Sequence, residues 1–240
     1  MDSQDTIMHV SSLPFLVAAV FGYLAWLVRR LSRQGAFTGV ERRRLFTVLG
    51  VLLAWGAVTA ALAFSGFYTR PRFLSWAPGY WMPYVPVVMV MTLVLTSRSL
   101  RDGLRKLVDA TPAAWLTAIH IVRILALGSL IKAANGLFPE LFAGYVGVPD
   151  LLFGLSAIPV TLLVARGRLS GMPLVAWHVI GAMVIIVPAV GFMHLFMKEP
   201  LFDRLFAFPM ALAPTLVVPT LVMLNLLVAW RESERLLLRR

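Results

Sequence analysis

Seven long apolar runs, separated by short polar stretches, constrain this chain more than any other feature. They lie at about 14–28, 45–67, 80–96, 112–132, 146–165, 173–196 and 207–230. A helix that crosses a bilayer needs about 20 mostly apolar residues. Only 14% of the 240 residues are charged and mean hydropathy is +0.84, whereas a soluble domain carries roughly a quarter charged residues. The seven runs and their connections use up the length. The expected fold is therefore all-α, a seven-transmembrane-helix bundle forming one integral membrane domain over 1–240.

The charges orient it. Lys and Arg collect after the first span (Arg29, Arg30, Arg33, Arg42, Arg43, Arg44), after the third (Arg98, Arg101, Arg105, Lys106), after the fifth (Arg166, Arg168) and in the tail (Arg231, Arg235, Arg239, Arg240). The connections after the second and sixth spans hold only Arg70, Arg72, Lys198 and Arg204. Cationic loops stay on the cytoplasmic side, so the N-terminus is expected outside, the C-terminus in the cytoplasm, and the protein in the cell (inner) membrane as a multi-pass chain. The net charge of +11 is then an orientation signal. It implies no nucleic acid, for which no soluble module is present. Aromatic Tyr80, Trp81 and Tyr84 open the third span as an interfacial belt.

The first run resembles a signal peptide only in length. Its flank, Met1-Asp2-Ser3-Gln4-Asp5, is acidic and Arg29 and Arg30 follow it, the reverse of a secretory signal. Retention in the mature chain is the expectation. With no cysteine, disulfides, thiolate nucleophiles and zinc–thiolate sites are excluded.

Arg123 is the first candidate for chemistry. It lies about ten residues into the fourth span, roughly 15 Å from either interface, where a charge is expensive and faces the bundle interior with a partner. Asp150 is the one acidic residue placed inside a run, and it is the expected partner. Asp150, Gly154, Ala157 and Thr161 recur at helical spacing, a small-residue face suited to close helix contact. His120 sits three residues before Arg123 on the same face. His178 and Asn225 fall at similar depth in the sixth and seventh spans, so His120, His178 and Asn225 are expected to form a polar layer beneath Arg123. A structural clasp between helices and a site for a small polar or anionic ligand both fit this set.

Prolines interrupt the later spans: Pro149, Pro159, Pro188, Pro209, Pro214 and Pro219. Each frees a carbonyl that something else must satisfy, a device transporters use to build binding sites and other bundles use as plain kinks. No Walker sequence, metalloprotease motif or nucleophile elbow is present, and no mid-span lysine in the seventh run suits a retinal linkage. His120 and His178 could be axial haem ligands, but no carboxylate at that depth completes a metal site. His194 is sixteen residues from His178, near the opposite interface. No cofactor and no metal are expected.

The stretch His120-x-x-Arg123, then Leu137-Phe138-Pro139-Glu140-Leu141-Phe142-Ala143, Gly147-Val148-Pro149-Asp150 and Gly154-Leu155-Ser156-Ala157 resembles a family of uncharacterised, hypothetical small bacterial polytopic membrane proteins. The likeness continues at Trp177-His178-Val179-Ile180-Gly181, Phe208-Pro209, Pro214-Thr215 and Val218-Pro219, covering the fourth span onward. The family pattern often has glutamine at the position of His120, asparagine at His178 and histidine at Asn225. The resemblance thus implies a polar cluster with interchangeable members rather than one obligatory base, and it supplies no activity.

The reading these residues favour is a small-molecule or ion transporter or channel-like protein, with Arg123, Asp150, His120, His178 and Asn225 lining its site. An accessory or scaffold subunit, binding a membrane-protein partner or forming a homo-oligomer, stays open. So does an intramembrane enzyme or haem protein, and the balance is against an enzyme. The lipid bilayer is a partner in every case.

Overall fold

The computed structural model describes residues 11–238. The acidic flank Met1–Asp5 and the arginines at 239 and 240 lie outside the described residues. Among the described residues the chain is helical without strands. Seven helices are long and apolar enough to cross a membrane: α1 (Leu13–Arg33), α2 (Gly39–Phe64), α3 (Pro78–Thr96), α4 (Ala113–Ala134), α5 (Glu140–Ala165), α6 (Met172–Gly191) and α7 (Ala213–Leu238). The rim where α1 begins is called upper here, and the rim carrying the arginine-rich connections lower.

Several ends differ from those expected, each for a local reason. α2 starts at Gly39 because Thr38 and Glu41 form a reciprocal capping box, which satisfies two orphan backbone donors and places Arg42, Arg43 and Arg44 on the helix. α5 begins at Glu140 rather than at 146. Glu199, from the α6–α7 connection, accepts the N–H groups of Leu141 and Phe142 at 2.7 and 3.1 Å, capping that end with a carboxylate where the helix dipole favours one. α6 stops at Gly191, and a separate turn follows at Met193–Phe196. α7 begins at Ala213 rather than 207 and runs on to Leu238, well past Trp230; Arg231–Glu234 at 2.6 Å and Arg235–Glu232 pair across single turns and support the extension.

The stretch Arg98–Lys106, expected as a loop, is a helix, Arg98–Ala110. Leu100, Gly103, Leu107 and Val108 are buried on one face, and the charged residues occupy the other, the pattern of a helix lying along an interface. Ser97 caps it. Lys106 reaches Glu41 at 2.7 Å, Arg105 reaches Glu234 at 3.1 Å, and Asp109 accepts from Arg231 and Arg235 at 2.7 and 2.6 Å. Through these pairs the helix ties α2 to the lower end of α7.

Packing divides the bundle. A leucine- and valine-rich core joins α1, α2, the interfacial helix and α7, with Leu27, Leu100, Leu116, Leu216 and Val228 almost fully buried. A separate aromatic cluster fills the upper rim, where Phe138, Phe196, Phe202 and Phe206 pack with Tyr68, Phe73 and Met82.

Candidate functional site

Helices α4, α5 and α7 are not uniform. The centre of α4, Ile119–Ala126, is wound as a 3-10 helix, far longer than the three or four residues usual for that form. α5 and α7 each contain a π turn, at Ala143–Gly147 and Ala213–Val217. Each π turn stops two residues short of a proline, Pro149 and Pro219. A proline removes one helical N–H and its ring crowds the carbonyl four residues back, so the preceding turn widens. For Pro219 that carbonyl belongs to Thr215, and the Trp55 indole N–H donates to it at 2.9 Å. A neighbouring helix thus supplies the donor that proline removed, as an apolar surround requires.

The 3-10 segment places Arg123 at the middle of α4, 2% exposed. Its Nε donates to Asp150 of α5, and its Nη1 donates to the Gly181 carbonyl of α6 at 2.7 Å. The guanidinium carbon lies 4.3 Å from the Phe153 ring centroid, a cation–π contact. Two glycines make this approach feasible. A Cβ on Gly154 would stand 2.6 Å from the Ile124 nitrogen and 2.8 Å from the Arg123 carbonyl carbon, so only glycine lets α5 lie against the α4 backbone. A Cβ on Gly181 would collide with the Phe153 ring, which occupies the space beside the carbonyl Arg123 uses. Nη2 of Arg123 is buried with no hydrogen-bond partner.

His120, His178 and Asn225 form the expected layer one turn lower, all fully buried. His178 Nδ1 donates to Asn225 Oδ1 at 2.8 Å. Residues three apart eclipse in a 3-10 helix, which sets His120 beneath Arg123. The His120 ring meets Phe153, Trp177 and His178 edge-on, each at a centroid distance of 5.8 Å. Phe153 and Trp177 stack at 4.4 Å, and Trp177 donates to Ser156 at 3.1 Å. Both His120 nitrogens, His178 Nε2 and Asn225 Nδ2 have no hydrogen-bond partner. The layer therefore holds unspent hydrogen-bonding capacity, which is unusual in a buried position.

Among the described residues no group of three His, Asp or Glu side chains converges as a metal site would need. His194 is exposed on the upper turn Met193–Phe196, away from the layer.

Above Arg123 the helices part around a cavity of about 480 Å³. Arg123 and Asp150 line it, and so do residues of all three irregular segments: Val122 and Ala126, Val146 and Gly147, and Ala213, Pro214 and Val217. Irregular backbone at membrane depth is tolerated where it is buried or borders a cavity. The remaining wall is largely apolar, with Phe138, Phe142, Ile185, Met193, Phe206 and Met210.

Sequence reasoning missed two kinds of contributor. Lys132, placed only at the end of the fourth span, is 4% exposed and lines the cavity; its position on the Arg123 helix, facing the apolar interior, was the available signal. Phe153 and the Gly181 carbonyl bear directly on Arg123, and nothing in an apolar run marks such groups out.

No curated protein and no solved structure matches the chain. The profile of a family described as Domain of unknown function (DUF8737) matches residues 81–231. That match begins within α3, ahead of the fourth span where the resemblance starts. It takes in Arg123, Asp150, His120, His178, Asn225 and Lys132, while α1 and α2 lie before it. With well over half of its length matched, this chain belongs to the Domain of unknown function (DUF8737) family.

Proposed function

We propose that this protein is a multi-pass membrane transporter whose solute site is the cavity ending on Arg123 and Asp150. The upper rim faces outward and the lower rim faces the cytoplasm, since the arginine-rich connections lie at the lower rim. The observation that carries the reading is the cavity itself. It is lined by every irregular turn of α4, α5 and α7, has a charged floor, and gives way below to the buried His120–His178–Asn225 layer. Broken helices around a mid-membrane site are the usual construction of secondary transporters. In this arrangement Arg123 holds the solute, and the layer beneath it serves as the closed gate.

A second reading has its own support. Arg123 bonds to both α5 and α6 from α4, which is what a rigid clasp in a scaffold or accessory subunit would do.

The absence of cysteine allows a clean test in sealed vesicles of known sidedness. Ser129→Cys in the cavity should react with a charged, impermeant thiol reagent from the outer face. Thr117→Cys, buried near the lower end of α4, should react from the cytoplasmic face, and a bulky adduct at Ser129→Cys should suppress that reaction. A scaffold predicts a Thr117→Cys that stays inert from both sides.

A further inference from the structure

The cavity wall specifies a class of ligand more narrowly than its charges do. Its volume of about 480 Å³ lies within the roughly 300–1,000 Å³ of pockets for drug-sized molecules. A hydrated ion or a sugar would set polar groups against Phe138, Phe142, Ile185 and Met210 and lose hydration with nothing in return. A purely apolar molecule would suit that wall but leave Arg123 Nη2 buried and unmatched, a standing penalty for a charged donor. A ligand with one acidic group and one apolar chain satisfies both ends.

We propose that the cavity binds a single-chain amphiphile with an acidic head group, the head accepting from Arg123 Nη2 and the chain lying against the apolar wall toward the upper rim. Asp150 stays on Nε, so the head takes the guanidinium nitrogen that has no protein hydrogen bond. Lys132, higher on the same helix, lines the same space. The proposal rests on the cavity being the functional site. It changes the expected ligand from small and polar to amphipathic.

The test uses the full chain with Ser129→Cys in phosphatidylcholine nanodiscs and a neutral maleimide, with dodecanoate, dodecanol and acetate as probes. Val88→Cys, on the exposed face of α3, serves as the control for changes in the bilayer. Dodecanoate should slow modification of Ser129→Cys about tenfold near saturation and leave Val88→Cys unchanged, while dodecanol and acetate leave both unchanged. Equal protection by dodecanol shows that Arg123 reads no head group and overturns the proposal. Equal protection by acetate, or protection by none of the three, overturns it too. Dodecyl phosphate in a parallel arm separates a lipid phosphate from a free acid as the source; protection by either sustains the shared chemistry. Arg123→Gln should abolish the protection and Arg123→Lys retain part of it. If either variant fails to fold, the acid–alcohol contrast on Ser129→Cys still decides. Protection without reaction at Thr117→Cys would leave this binding site standing and remove transport. Reaction at Thr117→Cys without protection would leave transport and remove this ligand class.

Discussion

The upper and lower halves of the bundle solve opposite problems with the same helices. In the upper half the backbone is irregular, with much of a 3-10 segment and two π turns parting around a cavity, and the Arg123–Asp150 pair is set among apolar walls. In the lower half α5 and α7 continue as regular α-helices, and charge appears in networks at the rim, as in Asp109 with Arg231 and Arg235. The difference shows where the fold tolerates disruption. Broken turns collect where they border the cavity, and the regular half anchors them. Arg123 stands at the boundary, which is why its three contacts reach α5 and α6 rather than solvent.

The largest break in this arrangement should come at that boundary. Asp150→Ala leaves Arg123 buried without its carboxylate, and removing one partner of a buried pair costs about 3–5 kcal/mol. Thermal unfolding in detergent should show it. Asp150→Ala combined with Arg123→Leu should recover part of the loss, because the stranded charge is gone.

Glycine substitutions sharpen the contrast next. Gly154→Ala drives a methyl into the α4 backbone and should cost about 1–3 kcal/mol. Gly128→Ala, on the cavity wall with nothing within 4 Å of its Cβ position, should be neutral or gain up to about 1 kcal/mol from helix propensity. Equal effects at both sites, read by the same unfolding assay, would mean that α4 and α5 do not touch as described.

A comparable loss is expected in the polar layer. His178→Ala leaves the Asn225 side chain buried without its partner and should cost about 1–3 kcal/mol. Exchanging the pair, His178→Asn with Asn225→His, should restore most of that stability, and a double-mutant cycle measures the coupling. The exchange follows the residues often found at these positions in the uncharacterised proteins the chain resembles.

The smallest effect belongs to the lower rim. Burial pushes the Asp109 carboxyl up, but bonds from Arg231 and Arg235 outweigh it and hold the group below the ordinary carboxylate range. A lowered folded value stabilises the protein above the unfolded pKa of about 3.9. That contribution is lost as pH falls through the folded value. Asp109 is about a third exposed, so the pair should be worth only about 0.5–1 kcal/mol. Asp109→Asn should lower the melting temperature slightly at pH 7 and narrow its gap to the unsubstituted protein below about pH 4.

The helix count and one close helix contact were legible in the sequence, and the remainder failed for identifiable reasons. Seven apolar runs appear as seven helices long and apolar enough to span a membrane. The helical spacing of Asp150, Gly154 and Ala157 pointed to close contact with another helix, and Gly154 does lie on the α4 backbone. The helix Arg98–Ala110 went unseen because a dense run of arginines reads as a connection unless its apolar residues are counted by period. The start of α7 was misplaced because residues 207–212 are as apolar as the helix that follows; hydropathy cannot distinguish an apolar turn from an apolar helix. The cavity had no sequence signal of its own. Its prolines were visible, but the π turns they induce and the space they open depend on how α4, α5 and α7 meet.

Hydrogen exchange in nanodiscs tests the division between the halves most directly. The account predicts that amides of 119–126, 143–147 and 213–217 exchange well ahead of those in the regular stretches 148–165 and 218–230, because weak hydrogen bonds there border a cavity. Uniform protection along α4, α5 and α7 would contradict it.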